Sequence, residues 1–191
     1  KIFNSAGILV WEDIYRGYSY DGATIGNLLG NNVPEIIFGD ISAYYQGQTY
    51  IVNPETGSLI NSWELGPQKE RYPDKANLLE NTIEDVDNDG QNEIIAVVSN
   101  FDFQKTFDEI HAWNPDGSEV DGFPKVVPGY ANVAPIVDDI DNDGKLELIV
   151  TNFENMLYIW DLTGNSNPSI TNWPQYHHDE RHTGNYNAQC L

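Results

Sequence analysis

The chain has 191 residues, with thirty Asp and Glu against nine Lys and Arg, for a formal net charge of −21. So acidic a balance repels nucleic acid and anionic lipid and attracts cations. Forty per cent hydrophobic and twelve per cent aromatic residues exclude a disordered chain, and no apolar run reaches the ~18–20 residues that a membrane helix needs.

Taken from the amino terminus, Asn4-Ser-Ala-Gly7 reads as a turn between two short apolar runs, with no acidic motif ahead of it. Ile25-Gly-Asn-Leu-Leu-Gly-Asn-Asn-Val-Pro-Glu-Ile-Ile37 follows, then an apolar run and a second turn, Asn53-Pro-Glu-Thr-Gly57. Ile83-Glu-Asp-Val-Asp-Asn-Asp-Gly-Gln-Asn-Glu-Ile-Ile95 fits the same template 58 residues on, with its turn at Asn114-Pro-Asp-Gly117. Val137-Asp-Asp-Ile-Asp-Asn-Asp-Gly-Lys-Leu-Glu-Leu-Ile149 repeats it after a further 54, and Asp161-Leu-Thr-Gly164 is read as the corresponding turn.

Between these punctuation marks the pattern is that of strands. Glu93 to Ser99 and Leu146 to Thr151 are short runs rich in Ile and Val, as in buried strands, and no stretch keeps a helical period between caps. Glu109 to Trp113 and Met156 to Trp160 read as strands leading into hairpin turns. Each unit therefore predicts four strands: one before the acidic motif, one after it, then a hairpin. A period in the fifties with four antiparallel strands predicts an all-β chain of β-propeller blades. Residues 1–21 supply the second half of a blade, 22–76 a blade with a degenerate loop, 77–130 a blade, and 131–191 the last blade with a closing tail. About three and a half blades fall short of a ring, so the rest is expected upstream or on another chain, with self-assembly as a further route. A β-sandwich would explain the strands but not their even repetition.

Asp85, Asp87, Asp89 and Glu93 form one acidic set, and Asp139, Asp141, Asp143 and Glu147 the other. Alternate Asp followed by Gly (Gly90, Gly144) lets a tight loop aim several carboxylates at one point. The carbonyls of Gln91 and Lys145 are the natural further oxygens. Such a hard, flexible, all-oxygen set suits Ca²⁺ better than Mg²⁺, and two ions are expected. With a single cysteine, Cys190, no intramolecular disulfide can form, so rigidity rests on packing or metal. An EF-hand shares the opening D-x-D-x-D-G but needs an acid where Ala96 and Val150 stand, and helices where strands are predicted. In the first copy Asn27, Leu29, Asn31 and Glu35 occupy the same positions, and no ion is expected there.

Asp85 to Glu93 with Ile94-Ile95, and Ala134-Pro-Ile-Val-Asp-Asp139 through Glu147, resemble the FG-GAP/VCBS family of extracellular propeller repeats, as in the integrin α-subunit head and secreted bacterial and archaeal proteins. The tail Trp173-Pro-Gln-Tyr-His-His-Asp-Glu-Arg-His-Thr-Gly184 is similar to the closing segment of such propellers. The resemblance spans residues 22 to about 187. It implies calcium between the first two strands of a blade, held by the eight named acids, and an extracellular setting.

Three other features have simpler readings beside functional ones. His177, His178 and His182 with Asp179 could be drawn as a zinc site, but the tail's match to a closing segment favours a packed cap. Trp11, Trp63, Trp113, Trp160 and Trp173 recur at a regular place and are expected to be core between blades. Tyr15, Tyr18, Tyr20, Tyr44 and Tyr45 fall outside that pattern and are candidates for surface contact. No nucleophile stands near a base, so no catalytic residue is expected. The function expected is a non-catalytic binding, adhesion or scaffold domain for a protein or glycan of the cell surface or matrix. The alternatives are part of a calcium-dependent polysaccharide lyase and a subunit of an extracellular fibre.

Overall fold

A computed structural model describes residues 1–12, 22–40, 47–65, 76–78, 81–100, 106–131, 133–166, 173–175 and 178. These build four antiparallel sheets, with no helix among the described residues. The first sheet is the hairpin β1 (Ile2–Phe3) and β2 (Leu9–Trp11). The second is a four-strand meander of β3 (Thr24–Gly26), β4 (Glu35–Asp40), β5 (Gln48–Val52) and β6 (Leu59–Glu64). In the third, β7 (Ala76–Leu78) and β8 (Thr82–Glu84) pair in turn along β9 (Glu93–Asn100), followed by β10 (Phe107–Trp113) and β11 (Lys125–Pro128). The fourth holds β12 (Ile136–Asp138), β13 (Lys145–Thr151) and β14 (Leu157–Asn165).

Alternation along the strands gives each sheet two faces. Ile94, Ala96 and Val98 of β9 pack with Leu28, Ile37, Ile51 and Leu65 of the second sheet and its flanking segments. Ile95 and Val97, with Ile110 and Ala112 of β10, pack against Leu146, Leu148 and Val150 of the fourth. Strand β9 is therefore buried on both sides, which is why its sequence is a continuous Ile/Val run. The third sheet lies between the second and the fourth.

Successive sheets are tied at one end of the strands that precede their loops. Thr24 Oγ1 donates to the Asn81 carbonyl at 2.9 Å, and Thr82, its counterpart one repeat later, donates to the Pro135 carbonyl at 2.6 Å. Trp173 exchanges backbone hydrogen bonds with Ile83, and Val137 N–H donates to the Pro174 carbonyl at 2.9 Å. The tail segment thus stitches β8 to β12.

Asparagine heads four turns. Asn4 Oδ1 accepts the N–H groups of Ala6 and Ile8, Asn53 Oδ1 those of Glu55 and Thr56, and Gly7, Gly57 and Gly117 close three of these turns at φ +74°, +69° and +89°. The fourth, Asn152-Phe-Glu-Asn155, lies one strand earlier in its sheet, between β13 and β14, and has Asn155 at φ 61° where the others have glycine; it is not the turn that the sequence reading placed after Trp160. Asp161-Leu-Thr-Gly164 is no turn but part of β14, because Gly164 N–H is drawn to the Val86 carbonyl of the third sheet at 2.8 Å. Gly164 is there for close approach, not for a left-handed backbone.

The tryptophans mostly lie at sheet junctions. Trp11 lies across Gly57, and Trp63 lies across Gly117, where a Cβ would stand 3.1 Å from the indole. The last strand of one sheet thus covers the turn of the next. Trp63 also tilts against Trp113 with ring centres 6.0 Å apart, Trp173 is buried, and half-buried Trp160 stacks on Tyr158. Buried His178 packs edge-on to Trp173, while His177, His182, Asp179 and the five flagged tyrosines lie outside the described residues.

Candidate metal centre

Each acidic loop joins a short edge strand to the longer strand it pairs with, β8 to β9 and β12 to β13. The backbone is bent by two left-handed residues: Asn88 (φ 64°) and Gly90 (φ 89°) in one, Asn142 (φ 61°) and Gly144 (φ 89°) in the other. Asn and Gly are the residues that take this conformation at least cost. The bend turns N–H groups inward onto the first Asp. Asp85 Oδ1 accepts from Asn88 N at 2.7 Å and Oδ2 from Gly90 N at 3.1 Å; Asp139 Oδ2 likewise accepts from Gly144 N at 3.1 Å.

The last residue of the motif closes the loop from beneath. Glu93 Oε2 accepts Val86 N–H at 2.9 Å, and Glu147 Oε2 accepts Ile140 N–H at 2.9 Å. Carboxylate oxygens of Asp85, Asp87 and Glu93 lie within 4.8 Å of one another, as do those of Asp139, Asp141 and Glu147. These two clusters could hold metal ions. Asp89 and Asp143 stand beside them, each with Oδ1 accepting an N–H at 2.8 Å, from Gln91 and from Lys145. The Lys145 ammonium turns away, to Asn165 Oδ1 at 2.5 Å and the Thr163 carbonyl at 3.5 Å, so it does not neutralise the cluster.

Electrostatics mark Glu93 as the strained member. It is fully buried, and burial pushes its carboxyl up to about 8; Asp87, Asp85 and Asp89 add to the rise, against the pull of Val86 N–H. Burial, followed by the charge of Asp89, also raises Asp87. Glu93 Oε1 has no hydrogen-bond partner. A buried carboxylate oxygen without a donor is costly. A cation between Asp85, Asp87 and Glu93 would satisfy it, and the all-oxygen donor set fits a hard divalent ion.

The loop over 27–35 is the control within the molecule. Gly30 (φ 67°) and Asn32 (φ 62°) keep the same two bends, Asn27 Oδ1 accepts Asn32 N–H at 3.2 Å, and Asn31 Oδ1 accepts Val33 N–H at 2.8 Å. Glu35 is buried, and its Oε2 accepts two N–H groups, Leu28 at 2.9 Å and Leu29 at 3.2 Å. Burial raises its carboxyl too, opposed by those donors. Leu29 sits where the acidic loops carry Asp87 and Asp141.

Sequence reading missed how the loops are held. Thr163 Oγ1 reaches the Asp87 carbonyl at 3.4 Å, Asn165 Nδ2 donates to Asn88 Oδ1, and Ser166 N–H donates to the Gly144 carbonyl at 3.2 Å. The end of β14 thus touches both acidic loops. Asn92 Nδ2 donates to the Asn27 carbonyl at 2.8 Å, which ties the second sheet's loop to the third's. Nothing local in the sequence signals such partners.

A comparison with models of known protein families finds no match, and a comparison with curated proteins finds none either.

Proposed function

We propose that the chain is part of a calcium-stabilised β-propeller of the FG-GAP/VCBS kind, acting outside the cell as a non-catalytic binding or scaffold domain for a protein or glycan. The observation that carries the metal reading is Glu93: a buried carboxylate, one oxygen unpartnered, beside Asp85 and Asp87. Asp85, Asp87 and Glu93 would hold one ion and Asp139, Asp141 and Glu147 a second. Asp89, Asp143 and the carbonyls of Gln91 and Lys145 are the next oxygens available to each. A set that rich in oxygen, on a loop able to adjust, favours Ca²⁺, and extracellular calcium is abundant enough to fill even weak sites of this type.

The propeller reading is supported by spatial order. The second, third and fourth sheets stack in chain order, each with its acidic-type loop leading into the equivalent strand (β4, β9, β13), and Thr24 and Thr82 make the same bond one repeat apart. Within this reading the ions act as structural staples that neutralise loops buttressed by the neighbouring sheet.

Metal analysis after dialysis against calcium, with thermal melts in calcium and in chelator, tests the proposal. Two ions per chain and a melting point lowered by chelator are expected. Fewer than one ion per chain, or identical melts, would overturn it.

A further inference from the structure

One short stretch, residues 163–166 at the end of β14, is gripped by both acidic loops. On the side of the third sheet, Gly164 N–H donates to the Val86 carbonyl at 2.8 Å, Thr163 Oγ1 reaches the Asp87 carbonyl at 3.4 Å, and Asn165 Nδ2 donates to Asn88 Oδ1. Within its own sheet, Asn165 lies opposite Lys145 in register, and Ser166 N–H donates to the Gly144 carbonyl at 3.2 Å. The Asn165 amide therefore has a loop at each end. Asn88 accepts from its Nδ2, and the Lys145 ammonium donates to its Oδ1 at 2.5 Å. Packing leaves this stretch no slack: a Cβ at Gly164 would stand 2.3 Å from the Asp85 carbonyl oxygen and 2.9 Å from Leu146 Cδ1.

The residues it touches are those that shape the two clusters. Asn88 and Gly144 are left-handed bends of their loops. Val86 N–H is held by Glu93, and Lys145 N–H by Asp143 Oδ1. In a metal-free chain the carboxylates of each cluster, within 4.8 Å of one another, repel and push their loop against this stretch. An ion removes that push. We infer that the two ions bind with positive cooperativity, and that residues 163–166, with the Asn165 amide at their centre, carry the coupling. The first ion steadies a stretch that braces both loops, so the second binds without repeating that ordering. The inference rests on the calcium reading proposed above and adds to it a dependence of each site on the other.

Direct charge works in the opposite sense. An ion in one loop weakens the negative field that attracts an ion to the other, and salt screens that effect while leaving short contacts intact. Cooperativity carried by residues 163–166 therefore rises with ionic strength.

Calorimetric titration of the whole, metal-stripped chain with Ca²⁺ at low and physiological salt is the test, with bound calcium counted independently. Two ions are expected, the second binding about fivefold or more tighter than the first once statistical factors are removed, and more so at physiological salt. Asn165 and Thr163 are exposed, so substitutions there should keep the fold and both ions. Asn165→Ala should lower the ratio of the two affinities by roughly twofold or more, and Thr163→Val should lower it too. Asn61→Ala cuts a different bond between sheets, to the Pro115 carbonyl outside both loops, and should leave the ratio as it was. Two ions bound with a ratio of one or below at physiological salt overturn the inference and leave the calcium reading standing. So does a ratio that neither Asn165→Ala nor Thr163→Val lowers, or that Asn61→Ala lowers equally. Fewer than one ion per chain overturns the calcium reading, and the inference with it.

Discussion

Gly164 of β14 sits against the carbonyl oxygen of Asp85, so close that a Cβ on residue 164 would overlap it. One glycine of the fourth sheet therefore sets how near that sheet comes to the acidic loop of the third. Gly164→Val must push β14 off the loop and break the bond from Gly164 N–H to the Val86 carbonyl. A loss of ~2–3 kcal/mol in chemical denaturation is expected, from overpacking plus a lost backbone bond. Metal affinity at the 85–93 loop should fall with it, read by titration with a luminescent lanthanide.

Glu93 makes the metal-free protein pH-dependent. Its carboxyl ordinarily loses its proton near 4.5 and in the folded chain holds it up to about 8. Between those values the folded state binds the extra proton, so stability falls as pH rises through that window. Urea melts in chelator from pH 5 to 8 should show the decline, and Glu93→Gln should flatten it. A calcium ion bound there, as proposed, must displace that proton. Calorimetry near pH 7 in buffers of different ionisation heat should find close to one proton released at this site, and far less above pH 8.

Two buried threonines separate a useful hydroxyl from an idle one. Thr82 Oγ1 donates to the Pro135 carbonyl, whereas Thr49 Oγ1, also buried, has no partner. Thr82→Val should cost ~1–2 kcal/mol, since it strands a buried carbonyl. Thr49→Val should be neutral or stabilising by up to ~1 kcal/mol. Equal melting shifts for the two would contradict the link between β8 and β12.

Gly57 and Gly7 share a left-handed backbone but not their surroundings. A Cβ at Gly7 meets nothing, while one at Gly57 runs into the Trp11 indole. Gly7→Ala should cost only the conformational term, about 1 kcal/mol. Gly57→Ala should cost roughly 1–3 kcal/mol more, and shift tryptophan fluorescence as Trp11 is displaced.

The strands and acidic loops were legible because their signals are local. Continuous Ile/Val runs, the D-x-D-x-D-G spacing and Asn-led turns each act over a few residues. The misread turn shows the limit. Asp161-Leu-Thr-Gly164 looks like the other turns, but Gly164 answers to Asp85 across a sheet boundary. At the place of that expected turn β14 runs on, and the turn at Asn152, one strand earlier, went unread because Asn155 stands where the other Asn-led turns have glycine. The buttress from Thr163 and Asn165 and the tie from Asn92 to Asn27 link residues distant in sequence, so no window of the chain contains them. The sequence named four acids per loop, of which three gather in each cluster while Asp89 and Asp143 stand beside them; that Glu93 would be the buried member with one oxygen unpartnered was not legible, because burial depends on all the sheets together.

The loop over 27–35 has the bends, the inward N–H groups and the buried glutamate of its acidic counterparts, with Asn27, Leu29 and Asn31 in place of the aspartates. Its shape is held without a charge cluster, so an ion is not the mould in which such a loop is cast. The number of ions carried by a chain of these repeats is then adjustable by side-chain exchange alone. Aspartates grafted at 27, 29 and 31 would meet a scaffold already folded to receive them, and asparagines put into the other loops should abolish the calcium dependence proposed for them.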